Sequence, residues 1–208
     1  MRVVEDVFSP SIEIIETQSG KTAYQLEQYR TTRKIIQKEV ERRLRGRRHD
    51  AEIPWRKELD DVLGGPADKN DLQEVEARKE KTKALEELFS ARFSVLIGPA
   101  GTGKTTLLKA LCNQPDVKNH GLLLLAPTGK ARVQMEIQTS IPGAKTLAQF
   151  LLSFERFIPK TQQYVVSQTK TKYQGAETVI VDEASMLTEE QLAALFSSLS
   201  GVKRIILV

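Results

Sequence analysis

Gly98, Gly103, Lys104 and Thr105 stand in the order G-x-x-x-x-G-K-[ST], with Pro99, Ala100, Gly101 and Thr102 between the glycines and Thr106 following. The spacing has a mechanism. Glycines let a backbone wrap an anion with its N–H groups, and a helix opening at the second glycine adds the positive end of its dipole. In such a loop Lys104 reaches the β- and γ-phosphates as a point charge, and the Thr105 hydroxyl ligates Mg²⁺. The expected ligands of residues 98–106 are therefore ATP and Mg²⁺. An apolar run precedes the loop and a helical stretch follows it, which is the context the motif requires. The competing reading is a glycine-rich turn that binds nothing, and the full pattern in this context weighs against it. Gly20-Lys21-Thr22 also reads G-K-T, but Ile15 stands where the first glycine belongs, so it is no nucleotide loop.

A second constellation is Asp182-Glu183, two carboxylates where the apolar run Thr178 to Val181 ends. Beside a phosphate site they divide the labour. Asp182 holds Mg²⁺, through water, to neutralise phosphate charge, and Glu183 orients and activates the attacking water. Lys104 and Glu183 are thus the catalytic candidates, and Thr105 and Asp182 the metal candidates. The competing reading is that the acids merely begin the next helix, where they suit its dipole. Thr188 with Gln191 is a better capping box for that helix, which leaves the pair without a structural task.

A third turn, Ala126-Pro127-Thr128-Gly129-Lys130-Ala131-Arg132, again ends an apolar run and opens a helix. It lacks the upstream glycines of a nucleotide loop. Backbone N–H groups, a hydroxyl and two cations at a helix start suit one phosphate of a nucleic-acid backbone. Thr128 as a helix cap with Lys130 and Arg132 solvated is the equal alternative. Thr146, before the helix-like Leu147 to Phe154, carries the same ambiguity and leans to capping. The stretch Arg156 to Tyr173 holds Lys160, Lys170, Lys172, Tyr164 and Tyr173, either a hairpin over nucleic acid or a polar insertion.

Other chemistry has little material. Cys112 is the only cysteine, and His49 and His120 are the only histidines. That leaves no internal disulfide and almost nothing for Cys/His zinc sites or histidine-activated nucleophiles. Charged residues make up 28% and hydrophobic residues 40% of 208 residues, which argues against a mainly disordered chain. No apolar run approaches the ~18 residues that span a bilayer, and the first ten residues have acids where a signal peptide has its apolar region. A cytoplasmic protein without a membrane partner is expected. Net charge is +4, and the excess is local: residues 21–49 carry ten Lys or Arg against three Glu, a net +7, and the remainder sums to −3. A basic arm is a weak pointer to nucleic acid.

The elements that must position these groups follow from periodicity. Helical spacing covers Tyr24 to Leu44 and Asp71 to Ser90, the latter with Leu72, Val75, Leu85, Leu88 and Phe89 on its apolar side. Breaks fall at Gly46 to Pro54 and at Gly64-Gly65-Pro66. Residues 1–20 are read as a short strand or a loose segment. Thereafter apolar runs (Phe93 to Ile97, Gly121 to Ala126, Thr178 to Val181, Arg204 to Val208) alternate with helical stretches, the last of these running from Asp182-Glu183 through Leu199. That pattern predicts an α/β fold with a parallel sheet covered on both faces, and ligands beyond the carboxyl ends of its strands.

GPAGTGKTT at 98–106, LLLLAPTGKARVQM at 122–135, TLAQFL at 146–151 and TVIVDEASML at 178–187 together resemble motifs I, Ia, the following segment and II of RecD-like superfamily 1 helicases. The resemblance covers about residues 75–208. It implies a RecA-like P-loop motor domain that couples ATP hydrolysis to movement along single-stranded DNA, with RNA as the alternative strand. It divides the chain into residues 1–70, a mainly helical region with the basic arm, and 71–208, a partial RecA-like domain. It implies that Arg204 to Val208 lies between the strands of motifs I and II, and that Thr128, Gly129 and Lys130 touch the DNA backbone. Two departures stand out. The family has a base-reading Gln shortly before motif I, and residues 78–85 here contain none. The sequence also ends where the family continues with motif III and a second RecA-like domain carrying arginine fingers. The chain is therefore expected to be an N-terminal piece that needs that remainder in cis or in trans, hydrolysing ATP weakly alone. Two other classes remain: a P-loop ATPase of regulatory or clamp type acting on protein, and a non-catalytic nucleic-acid-binding module.

Overall fold

The apolar runs pair in parallel. The computed structural model describes residues 12–17, 19–50, 52–99 and 101–208. In chain order, strands β1 (Ile12–Glu16) and β2 (Thr22–Leu26) form a hairpin, followed by helices α1 (Glu27–Leu44), α2 (Trp55–Val62) and α3 (Leu72–Ser90). Then come β3 (Phe93–Val95), α4 (Lys104–Asn113), α5 (Pro115–Asn119), β4 (Leu122–Ala126), α6 (Gly129–Thr139), β5 (Lys145–Thr146) and α7 (Leu147–Ser153). A small hairpin of β6 (Phe157–Ile158) and β7 (Gln163–Tyr164) leads to β8 (Thr178–Val181), α8 (Glu189–Ser198) and β9 (Arg204–Leu207). The main sheet has five strands in the order β3-β9-β8-β4-β5, all parallel. β9 therefore lies between β3 and β8, as the resemblance implies.

Strands that read as unbroken apolar runs do so because both faces are covered. Leu124, Ile180 and Ile206 are in register across β4, β8 and β9 and face one core. That core is closed by Leu107, Leu108 and Leu111 of α4, Leu85 and Phe89 of α3, and Trp55 and Leu59 of α2. Leu123, Leu125, Val179, Val181 and Ile205 face the opposite core with Phe150 and Leu151 of α7 and Leu195 and Phe196 of α8. The period of two splits each run between the two cores. Trp55 and Leu59 thus tie the segment before residue 70 into the core that supports the nucleotide loop. Arg78 of α3, itself buried, adds a 2.6 Å ion pair to Asp60 of α2. Among the described residues no helix is long and apolar enough to cross a membrane.

Several expectations change. The helix expected from Tyr24 starts at Glu27, because Thr22–Leu26 pairs with Ile12–Glu16, Tyr24 opposite Ile14 and Leu26 opposite Ile12. Gly20, at φ +72°, closes that hairpin, so the G-K-T at 20–22 is a turn leading into a strand. α2 occupies a stretch left unassigned between two breaks. Leu72 is 77% exposed rather than on the inner face of α3, which buries Arg78, Leu85, Leu88 and Phe89. The helix expected from the acidic pair divides into a single 3₁₀ turn, Ala184–Met186, and α8.

The arm at 21–49 is less free than its charge suggests. Six of its ten cations (Arg30, Arg33, Arg42, Arg43, Arg45 and Arg48) pair with carboxylates. Arg33 reaches Glu189 of α8 at 3.0 Å, and Arg48 reaches Glu87 of α3. Arg43 is buried, donating to Glu39 and to the Val202 carbonyl. Much of the arm is a packing surface against the sheet's helices.

The stretch from Arg156 to Tyr173 also turns inward. Tyr164 stacks on Phe157, and its hydroxyl accepts from Gln191 Nε2 at 2.9 Å. Tyr173 packs edge-on against Phe150 and Phe154. The aromatics serve packing, not a stacking platform for bases. Arg156 is fully buried and organises the loop, donating to the carbonyls of Phe154, Ser167, Lys170, Thr171 and Ser197 and to the Ser197 hydroxyl. Removing it strands those acceptors. Arg156→Ala is expected to destabilise the fold by about 3 kcal/mol or more, read as a lower midpoint of denaturant unfolding. An unchanged midpoint would show that the loop does not depend on this guanidinium.

Candidate nucleotide-binding site

β3 is short because its edge position gives it one neighbour, and the chain leaves the sheet after Leu96 N donates to Leu207 O at 2.8 Å. Ile97 is 87% exposed and opens the loop. Gly101 and Gly103 have φ of +81° and +89°, a left-handed backbone that glycine adopts without steric cost. Thr102 Oγ1 donates to Pro99 O at 2.8 Å, and a Cβ on Gly98 would lie 2.9 Å from that hydroxyl, so the loop is a tight coil. Ala100 lies outside the described residues. α4 begins at Lys104 with no side-chain cap and no acid in its first turn. Its first N–H groups are thus unmatched at the positive end of the dipole, the physical basis of phosphate capture.

The Lys104 ammonium donates to the Gly98 carbonyl and to Pro99 O at 3.1 Å. Two of its three hydrogens brace the loop, and one remains for a phosphate oxygen. Thr105 is exposed, and its hydroxyl has no hydrogen-bond partner among the described residues; Thr106 is half-buried on the next position. The described members of the 98–106 motif therefore lie together in the loop and the first turn of α4. The structure adds Lys81 of α3. A Cβ on Gly103 would come 2.9 Å from Lys81 Cε and 3.2 Å from its Nζ. The sequence passes over this residue, although one signal exists: Ala77, Arg78, Ala84 and Leu85 are its neighbours at helical spacing, so no acid is placed to pair with it.

The acidic pair sits at the carboxyl end of β8, on the same sheet edge, with only β9 between it and β3. Both flanks are pinned. Asp182 N donates to Leu125 O at 2.9 Å and Ala184 N to Val208 O at 2.7 Å. Held between them, Glu183 takes a left-handed conformation at φ +51°, which costs a non-glycine residue roughly 1 kcal/mol or more and is tolerated where neighbours over-determine it. Glu183 precedes the 3₁₀ turn without capping it, and α8 is capped by a Thr188–Gln191 box instead. The helix-cap role for the pair is thereby removed. Asp182 is half-buried, and burial pushes its carboxyl above the ordinary range, with the Glu183 charge adding to the rise. The Glu183 N–H and the attraction of Lys104 oppose that shift. A cation would relieve the same cost. Asp182 and the Thr105 hydroxyl are hard oxygen donors, which fits Mg²⁺ bound by few protein ligands and completed by phosphates. No cluster of three or more acidic, His or Cys ligands exists among the described residues to hold a metal by itself. Bound there, Mg²⁺ would neutralise charge on the β- and γ-phosphates.

The third turn lies at the carboxyl ends of β4 and β5, where Ala126 is in register with Thr146. The Thr128 hydroxyl accepts from Ala131 N at 3.2 Å, and Thr146 forms a complete capping box with Gln149. Both threonines therefore have a structural task. Arg132 is paired at 3.2 Å with Glu136, whose other oxygen accepts from Gly143 N and Ala144 N, so it is not a solvated cation. Lys130 is exposed with no partner among the described residues, and a Cβ on Gly129 would meet nothing within 4 Å. The open part of this turn is its backbone at 128–130 and one ammonium.

A family model described as AAA domain matches residues 76–208, which hold all five strands of the main sheet and every motif above. The uncharacterized protein MJ1519 of Methanocaldococcus jannaschii is 24% identical over 232 aligned positions, covering all of this chain and 20% of that protein. The chain thus spans about a fifth of that relative's length. With a glycine loop at the edge of a parallel sheet and a carboxylate pair two strands away, the chain belongs to the AAA domain family of P-loop NTPases.

Proposed function

We propose that this chain is the ATP-binding part of an ATP-dependent DNA helicase or translocase, in which hydrolysis drives movement on single-stranded DNA. The observation that carries the reading is the shared sheet edge. The nucleotide loop, the acidic pair and the open turn at Thr128-Gly129-Lys130 all lie at carboxyl ends of strands in the order β3-β9-β8-β4. A DNA phosphate on that turn would be linked to the nucleotide by one strand, β4, and its neighbour β8. Lys104 and the α4 N-terminus bind the phosphate chain, Thr105 and Asp182 hold Mg²⁺, and Glu183 takes the proton of the attacking water. A second domain or subunit supplies the arginine that stabilises the transition state, a group worth ~10³–10⁵ in rate in such enzymes. Isolated, the chain turns over slowly. The pairing of six arm cations weakens the reading of a non-catalytic nucleic-acid-binding module, since such a module needs those charges free.

Lys104→Ala is expected to lower the affinity for a fluorescent ATP analogue at least about tenfold, and unchanged affinity would remove the loop from the account. In the full-length protein, Glu183→Gln is expected to keep nucleotide affinity and to cut turnover by about 10²-fold or more; turnover equal to wild type would take the proton-acceptor role from Glu183. Single-stranded DNA is expected to raise the ATPase rate of the full-length protein. Equal rates with and without DNA would favour an ATPase that acts on protein.

A further inference from the structure

We infer that Lys81 is a second phosphate-directed cation of the nucleotide site, a contact that ATP and GTP share because it is made by charge and not by base. The inference rests on the nucleotide reading of the 98–106 loop. Lys81 projects from α3 onto Gly103: a Cβ built there would lie 2.9 Å from its Cε and 3.2 Å from its Nζ. The same Cβ position is 3.9 Å from Thr106 Oγ1, which places the ammonium over the first turn of α4.

That placement is electrostatically odd for a free protein. A cation at a helix N-terminus faces the positive end of the dipole. Lys104 adds a second positive charge at the same end, and α4 has no acid in its first turn. Lys81 has no ion-pair or hydrogen-bond partner among the described residues. Within α3, Arg78 is matched with Glu74 and Asp60 and Lys79 with Glu76, whereas Lys83 too has no ion pair among the described residues, so what distinguishes Lys81 is its place beside Gly103. Two ammonium groups and a row of unmatched N–H groups converge, and a polyanion is the ligand that relieves them together.

The chemistry of the group then sets what it recognises. An ammonium has three donors and no acceptor. Directed at phosphate, Lys81 makes the same contact with ATP and with GTP.

Titration of the chain with Mg·ATP and Mg·GTP at low and high salt tests this. Wild type is expected to bind the two within about threefold. Lys81→Ala, which keeps a good helix former, is expected to weaken both by about five- to tenfold, the size of one charge-assisted contact, with the loss shrinking at high salt. Lys81→Gln, which keeps a polar side chain but loses the charge, is expected to weaken both alike. Unchanged affinities in Lys81→Ala, or a loss confined to ATP, would overturn the inference. If Lys104→Ala abolishes binding while Lys81→Ala does not alter it, the nucleotide site stands and the Lys81 role falls. If wild type binds neither nucleotide, both fall.

Discussion

The structure depends on unmatched backbone N–H groups at the start of α4. Among the described residues nothing caps them: no side chain accepts from them, and no acid stands in the first turn. Water can satisfy them, but a phosphate does so with charge as well. Keeping them exposed requires a loop that turns sharply out of a strand and into a helix, hence two left-handed glycines. It also requires a rigid support, because a loop free to collapse would satisfy its own donors.

That support is the parallel sheet and what covers it. β4, β8 and β9 are buried on both faces, so each alternate residue is anchored in a different core. α4 packs through Leu107, Leu108 and Leu111 onto a core that also holds Trp55, Leu85 and Phe89. The helices before β3 are therefore part of what holds the nucleotide loop in place. The same framework sets the acidic pair. Bonds to Leu125 and Val208 clamp either side of Glu183 and hold its backbone in a conformation it would otherwise seldom adopt. Asp182 is left half-buried, its charge only partly offset by the Glu183 N–H and Lys104, a cost that a magnesium ion would relieve.

Much of this was legible in the residues. The glycine loop and the acidic pair were readable because their spacing is itself the mechanism. Apolar runs such as Leu122 to Ala126 and Thr178 to Val181 were readable because double-sided burial leaves no polar interruption. Other parts depend on partners far away in the chain. Tyr24 and Leu26 fit either a helical or a strand period, and only pairing with Ile14 and Ile12 decides it. α2 has eight residues, too few for periodicity to stand out between two breaks. The arm looked like a free basic patch because Glu87 and Glu189, which engage Arg48 and Arg33, lie outside it. A buried arginine held by carbonyls, as Arg156 is, has no sequence signature. Lys81 gains its place only when α3 meets Gly103.

Hydrogen exchange of the loop amides tests the central claim most directly. With Mg·ATP present, the N–H groups of residues 101–106 are expected to exchange markedly more slowly, while amides of the β6–β7 hairpin keep their rates. Loop amides that exchange at the same rate with and without saturating Mg·ATP would contradict the account.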